Sequence, residues 1–396
     1  MKKEIKKIVE ANKESIIKLT QKLIGIKSIT GNEGEIINAI TEEMKNFGFD
    51  EIKIDEMGNL IGKIGNGDKV LAVDGHVDTV EIGKERDWKF NPLGGTIYNG
   101  NIYGRGSCDQ KGGLTTSLLA IKILKEIGFP KNLTLYFVAS VHEETYEGMN
   151  WQHIIEKEKI RPDAVLLTEP SNLQIIMGHR GRMDIKLEVK GLSSHGAEPD
   201  IGINAIYLMN PIISEIEKLH NELPEDPLFG KGSITITEIK STSVSLNAVA
   251  DSCTIHVDRR LGINDTKESV LQELKNLKSV FESEAKVLVP EFSVKSYKGY
   301  EYNIKSYYPS WKMDESDQLI QKACNCFKEQ FDEEPSINYW RFSTNGVATK
   351  GLHDIPTVGF GPGDERFAHT IEEHIPIEHL LKATEFYISF FLNWAK

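Results

Sequence analysis

The stretch Lys69-Val70-Leu71-Ala72-Val73-Asp74-Gly75-His76-Val77-Asp78-Thr79-Val80 decides how the chain is read. Four apolar residues, Val70 to Val73, form the kind of run that fills a strand of a parallel sheet buried on both faces. The run breaks at Gly75 and delivers His76 and Asp78. In extended chain, residues two apart point to the same side. His76 can therefore bind a metal while Asp78 holds the other imidazole nitrogen and fixes its tautomer. A strand-end histidine bonded to a turn carboxylate is the plainer alternative, and a single short motif does not choose between them.

Working outward, the same edge collects more acids. Leu133 to Ala139 is a near-continuous apolar strand, and Glu143 and Glu144 lie just beyond it. Val165-Leu166-Leu167 is the next strand, followed by Glu169. Between these runs, Leu114, Leu118, Ile121 and Leu124 mark a helix that ends by Gly128 and Pro130, and a second helix is expected from Met149 to Lys157. Strand and helix alternate, which predicts an α/β fold: a mostly parallel sheet with helices on both faces. Ligands of such sheets sit beyond the carboxyl ends of the strands, where His76, Glu143, Glu144 and Glu169 all fall.

Upstream, Ile5, Ile8, Val9, Ile16, Leu19 and Leu23 predict an amphipathic helix. Thr30 and Glu33 read as a capping box before Ile36, Ile37, Ile40 and Met44, with Gly48 as the stop. A hairpin follows, turning at Met57-Gly58-Asn59. The pattern changes after Arg180. Met183 to Val189 alternates apolar and polar, as a sheet with one wet face does. A helix near Asn204–His220, strands near Ser233–Ile239 and Ala248–Val257, a helix over Thr266–Phe281 and a strand over Ala285–Val294 complete a ferredoxin-like α+β unit. We read residues 181–298 as an inserted domain and residues 1–180 with 299–396 as the domain carrying the acids.

Two domains suit a chain of 396 residues, 39% hydrophobic and 27% charged. A net charge of -12 argues against nucleic acid and anionic membranes as partners. The start carries no apolar core of signal-peptide type, no run reaches membrane-spanning length, and Cys108, Cys253, Cys324 and Cys326 form no disulfide framework. A cytoplasmic location is expected.

Asp109 lies in the glycine-flanked run Gly104-Arg105-Gly106-Ser107-Cys108-Asp109-Gln110-Lys111-Gly112-Gly113, where backbone can approach a metal closely. As an isolated residue it would more often be a helix cap. A phosphate loop is excluded, because no Gly-Lys-Ser/Thr is present and an aspartate would stand where phosphate lies. Of the adjacent glutamates, one can bind metal while its neighbour moves a proton; a solvated surface pair is the plain alternative. Spacing alone does not choose among His353, His369 and His374.

Taken together, Gly75-His76-Val77-Asp78, the Gly104–Gly113 run, Glu143-Glu144, Thr168-Glu169-Pro170 and Ala368-His369-Thr370 resemble, in order and spacing, the metallohydrolase family of acetylornithine deacetylase, succinyl-diaminopimelate desuccinylase, aminoacylase and carboxypeptidase G. Gly178-His179-Arg180-Gly181-Arg182 and Ser343-Thr344-Asn345-Gly346-Val347 look most like its poorly characterised hydrolases linked to selenium metabolism. The resemblance implies a zinc-exopeptidase-like catalytic domain with a lid and dimerisation domain. It implies two divalent metals, zinc or else manganese or cobalt, one held by His76, Asp109 and Glu169 and one by Asp109, Glu144 and His369. Glu143 matches the general base and Asp78 the carboxylate behind His76. A non-proline cis peptide is implied after Asp109.

The resemblance further implies that His195 reaches the neighbouring subunit's site in a homodimer, and that Asn247 and Arg260 contact substrate, one arginine forking onto a carboxylate. Arg180 and Asn345 are further substrate-contact candidates. Two departures stand out: Cys108 replaces an alanine beside the bridging aspartate, and His179 stands where the desuccinylases carry arginine. The expected activity is hydrolysis of the amide bond in a small, carboxylate-bearing N-acyl or N-carbamoyl amino acid. A dipeptidase or carboxypeptidase is the alternative. A binding protein that kept the fold and lost catalysis is a third reading, and the filling of all the positions that the mechanism needs argues against it.

Overall fold

The strands Lys69–His76 and Leu133–Ser140 pair in parallel from Lys69 beside Leu133 to His76 beside Ser140. They do so because Leu71 to Val73 and Phe137 to Ala139 offer apolar side chains on both faces, and all six are buried. In the computed structural model, which describes residues 2–396, Ala164–Leu167 lies parallel on the other flank of Lys69–His76, with Thr357–Gly359 parallel beyond it. These four strands are the centre of a nine-stranded sheet. Leu60–Ile64 and Glu51–Ile54 extend it antiparallel on one side. On the other side come Ile175–His179, Trp311–Lys312 and Ile337–Trp340.

Because the central four run the same way, their carboxyl ends share one edge. The chain leaves that edge at His76, Ser140, Leu167 and Gly359; Asp78, Glu143, Glu144, Glu169 and His369 follow these exits, and Asp109 lies in the Gly104–Gly113 run. Helix Gly112–Gly128 packs on Lys69–His76 and against the last helix, Ile377–Trp394. Gly113 allows that fit: a Cβ there would stand 2.1 Å from the Thr168 carbonyl oxygen, the residue before Glu169.

The inserted unit has its own core, formed by Met183, Ile185, Leu187, Cys253, Ile255 and Val257 with Met209, Ile212 and Ile216. Its antiparallel sheet runs Ser233–Thr242, Ser252–Arg260, Arg182–Lys190, Lys286–Leu288, covered by helices Ala205–Glu222 and Lys267–Lys275. That order is the ferredoxin-like one expected from the alternation.

Several local expectations are corrected. The strand expected over Ala285–Val294 is two: Lys286–Leu288 stays in the inserted sheet, while Glu291–Lys295 pairs with Glu301–Lys305 in a hairpin packed on the main core. Pro290 stands between them, and proline has no amide hydrogen to continue a ladder. The first helix is two, Lys2–Ala11 and Lys13–Ile24, and the one expected over Thr266–Phe281 is Lys267–Lys275 followed by Lys278–Glu282. Thr30 and Glu33 form no capping box. Among the described residues, no helix is long and apolar enough to cross a membrane.

Candidate metal centre

His76 closes its strand wholly buried. Its Nδ1 lies 2.9 Å from the Asp78 carbonyl oxygen and 3.5 Å from Asp78 Oδ1. Two acceptors on that side place the proton on Nδ1 and turn Nε2 toward Asp109 Oδ1, 2.9 Å away. The other Asp109 oxygen, Oδ2, is 3.3 Å from His369 Nε2, which in turn is 2.8 Å from Glu144 Oε2. Asp109 thus offers one oxygen to each histidine, the disposition a bridging carboxylate needs. Glu169 Oε1 and Glu143 Oε2 stand 3.7 and 3.9 Å from His76 Nε2.

Two overlapping sets, His76 with Asp109 and Glu144, and His76 with Glu143 and Glu169, have ligand atoms all within 4.8 Å of one another. The Asp109–Gln110 peptide is cis. His369 lies at the mouth of this pocket. His353 instead faces Glu156, and His374 stacks on Tyr103.

So many acids in one buried space cannot all stay charged without cations. Burial first, then the neighbouring carboxylates, pushes Glu143 and Glu169 well above the usual range. Burial and then Asp109 raise Glu144 to about 7. Burial would raise Asp109 too, but hydrogen bonds from His369 and His76 outweigh it and hold the carboxylate low. The same bonds from Asp109 and Glu144 lift His369 to about 10. For His76 burial works against the charged form, and Glu169 and Glu143 overcome it. Glu143 Oε1 is buried with no hydrogen-bond partner, so one oxygen of this carboxylate is uncommitted. A mixed imidazole and carboxylate donor set of this kind fits zinc, manganese or cobalt.

The supports of the centre include residues the sequence reading did not assign. Glu373 is completely buried; it accepts from the amides of Cys108 and Asp109, at 3.1 and 3.0 Å, and from Arg105 Nη1 at 2.6 Å. The Arg105–Glu373 pair therefore holds the backbone that presents Asp109. In sequence Glu373 is indistinguishable from its exposed neighbour Glu372, since only the strand-to-strand pairing of His374 with Tyr103 turns it inward. Thr30 donates to Asp78 Oδ2 at 2.8 Å, and Asp78 also accepts from the amides of Glu143 and Glu144, both at 3.1 Å. Asp78 thus holds the glutamate turn as well as His76. Glu33 accepts from the amides of Gly31 and His142. Gln110 is fixed by a 2.7 Å bond from Thr168 Oγ1. The Cys108 thiol is pushed well up by burial and faces the Asp364 carbonyl oxygen at 3.2 Å, a packing thiol and not a reactive one.

Other expected residues stand apart from this cluster. Asn345 is fully buried; its amide nitrogen donates to Asp74 Oδ2 and Ser140 Oγ, and its oxygen accepts from Gly148 N. Its amide is thus committed to joining strand ends. Arg180 donates to the carbonyl oxygens of Phe229 and Gly230. Arg260 is forked onto Asp258 at 2.9 and 3.2 Å. Asn247 and His195 are exposed on the inserted domain; the Asn247 carbonyl accepts from Gly196 N, and His195 Nδ1 from Ala197 N. His179, buried against the edge of Trp311, is held in its neutral form, its pKa lowered to about 4 by burial.

Comparison with known proteins places the chain in a family. The chain is 40% identical over 372 residues to the uncharacterized protein YgeY of Escherichia coli (strain K12), across 94% of this chain and 92% of that one. It is 31% identical over 257 residues to acetylornithine deacetylase of Aliivibrio fischeri (strain MJ11), across 61% and 66%. The fold superposes on the crystal structure of the Bacillus subtilis YXEP protein, a dinuclear metal binding peptidase from the M20 family, with a TM-score of 0.71 at 13% identity, covering 97% and 98% of the two chains. Residues 72–393 match Peptidase family M20/M25/M40, and the chain belongs to that family of metal-dependent amide-bond hydrolases.

Proposed function

We propose that the protein hydrolyses the amide bond of a small, carboxylate-bearing N-acyl or N-carbamoyl amino acid at a dinuclear centre. The observation that carries this is Asp109 reaching one oxygen toward each of His76 and His369, with Glu143 beside them and one of its oxygens uncommitted. His76, Asp109 and Glu169 would hold one ion, and Asp109, Glu144 and His369 the other; zinc is the metal proposed. Bound divalent ions lower the pKa of water and polarise a carbonyl. Glu143 takes a proton from water and returns it to the departing nitrogen. Burial, which raises its pKa, suits it to both transfers. Asp78 keeps this carboxylate in place through the two amides it accepts.

Arg260 is proposed to leave Asp258 for the substrate carboxylate, an exchange of one forked partner for another. Asn247, and more weakly Arg180, belong to the same proposal as substrate contacts; Asn345 would have to release one of its bonds to Asp74, Ser140 or Gly148 to join them. His195 is proposed to act across a homodimer. Exposed Ile201, Ile203, Tyr207, Val244 and Leu246 on the inserted domain support an interface there. All four cysteines are free and buried, in keeping with a reducing, cytoplasmic location.

The deacylase reading rests on the acetylornithine deacetylase relative; a dipeptidase separates from it by requiring a free amine on the substrate. The test is Glu143→Gln, assayed on a panel of N-acyl amino acids and dipeptides. Loss of a general base should lower turnover about 10²–10⁴-fold with metal content unchanged. Full turnover in the variant would remove Glu143 from the role.

A further inference from the structure

Away from this centre, a second group of donors meets where the turn after Glu51–Ile54 touches helix Met149–Glu156. Asp55, His153 and Glu158 bring ligand atoms within 4.8 Å of one another. The His153 side chain is completely buried, yet neither ring nitrogen has a hydrogen-bond partner. Its Nε2 points at Asp55 Oδ2 from 3.8 Å, too far for a hydrogen bond. Two donors each about 2.1 Å from one ion lie up to about 4.2 Å apart, so the same gap fits a shared transition metal. Asp55 is held ready: Oδ1 accepts from the amides of Gly58 and Asn59 at 2.7 and 2.9 Å, and Oδ2 from Asn59 Nδ2 at 2.8 Å, which leaves Oδ2 a lone pair. Glu158 has its Oε2 on the exposed Lys53 and its Oε1 free of that contact. Tyr300 lies edge-on against the His153 ring, with centroids 5.0 Å apart.

We propose that Asp55, His153 and Glu158 form a separate structural site for a zinc-like divalent cation. The ion takes Nε2 of the buried imidazole, which has no other partner, and clips the turn to the helix. Asn59, which Asp55 holds, also accepts from the amide of Val141, two residues before Glu143. The clip therefore stiffens the turn that carries the general base, without contributing an atom to the chemistry. Lys53 competes for Glu158, and its removal strengthens the site.

The test is zinc stoichiometry of the full chain, saturated with zinc chloride and freed of excess by gel filtration. Wild type is expected to hold one ion per chain more than His153→Gln and than Glu158→Gln. Asp109→Asn, which alters the other centre, keeps this ion. Lys53→Met also keeps it, which separates loss of a ligand from loss of the salt bridge. In the Asp109→Asn background, zinc raises the melting temperature, and adding His153→Gln weakens zinc affinity at least tenfold and removes that rise. Should His153→Gln misfold, Glu158→Gln at the pocket rim gives the same reading. Equal zinc content in wild type, His153→Gln and Glu158→Gln overturns the proposal and leaves the pocket to water.

Discussion

Glu373→Gln is the substitution that separates a ligand set from the frame that aims it. The change is isosteric, but it removes the charge opposite Arg105, whose side chain is only 5% exposed. It also puts an amide NH₂ either at Oε1, facing Cys108 N and Asp109 N, or at Oε2, facing Arg105 Nη1, so at least one donor loses its acceptor. Removing one partner of a buried ion pair costs about 3–5 kcal/mol, mostly because the other charge stays buried. Set against an unfolding entropy of about 0.8 kcal/mol per degree for a chain of 396 residues, this lowers the melting temperature by about 4–6 °C. Because the same carboxylate sets the Asp109 backbone, metal affinity should fall about 10–100-fold, as it does when groups behind metal ligands are lost.

Melting followed by circular dichroism reads the first effect, and zinc titration against a competing chelator reads the second. Arg105→Met combined with Glu373→Met should be milder in melting than Glu373→Gln, since no unpaired charge remains. A Glu373→Gln protein that melts with wild type refutes the buried-pair argument. One that melts early but binds zinc as tightly as wild type refutes the positioning of Asp109.

Other outcomes follow from the same structure. Mixing His195→Ala chains with Glu143→Gln chains should restore part of the activity that each homodimer lacks; no recovery would rule out action across the interface. His179 titrates near 4 when folded and near 6.5 when unfolded, so the unfolded chain binds its proton first as pH falls. Stability is therefore lost between those values, about 2 kcal/mol between pH 7 and pH 5, and melts of His179→Gln should show a smaller loss. A strong chelator should abolish turnover and lower the melting temperature, and zinc should restore both; activity that survives exhaustive chelation would contradict a metal-dependent centre.

Local chemistry alone determined much of this protein. Doubly apolar runs such as Leu71–Val73 and Leu133–Ala139 can only be buried between layers, so they dictate a parallel sheet, and chain direction then sends His76, Glu143 and Glu169 to one edge. The order and spacing of five short motifs carried the family resemblance, from which the proposed ligand set follows. What tertiary structure decided was which polar groups face one another across long stretches of chain. Glu373 beside Arg105, Thr30 beside Asp78, and the burial of Asn345 depend on pairings 268, 48 and 271 residues apart, which no local period encodes. Thr30 and Glu33 read as a helix cap because their spacing matches one, yet a buried carboxylate and a turn amide competed for the same side chains and won. Contacts of that kind follow from the folded geometry, because a hydrogen bond gains most where water has been excluded, and only the assembled chain determines where that is.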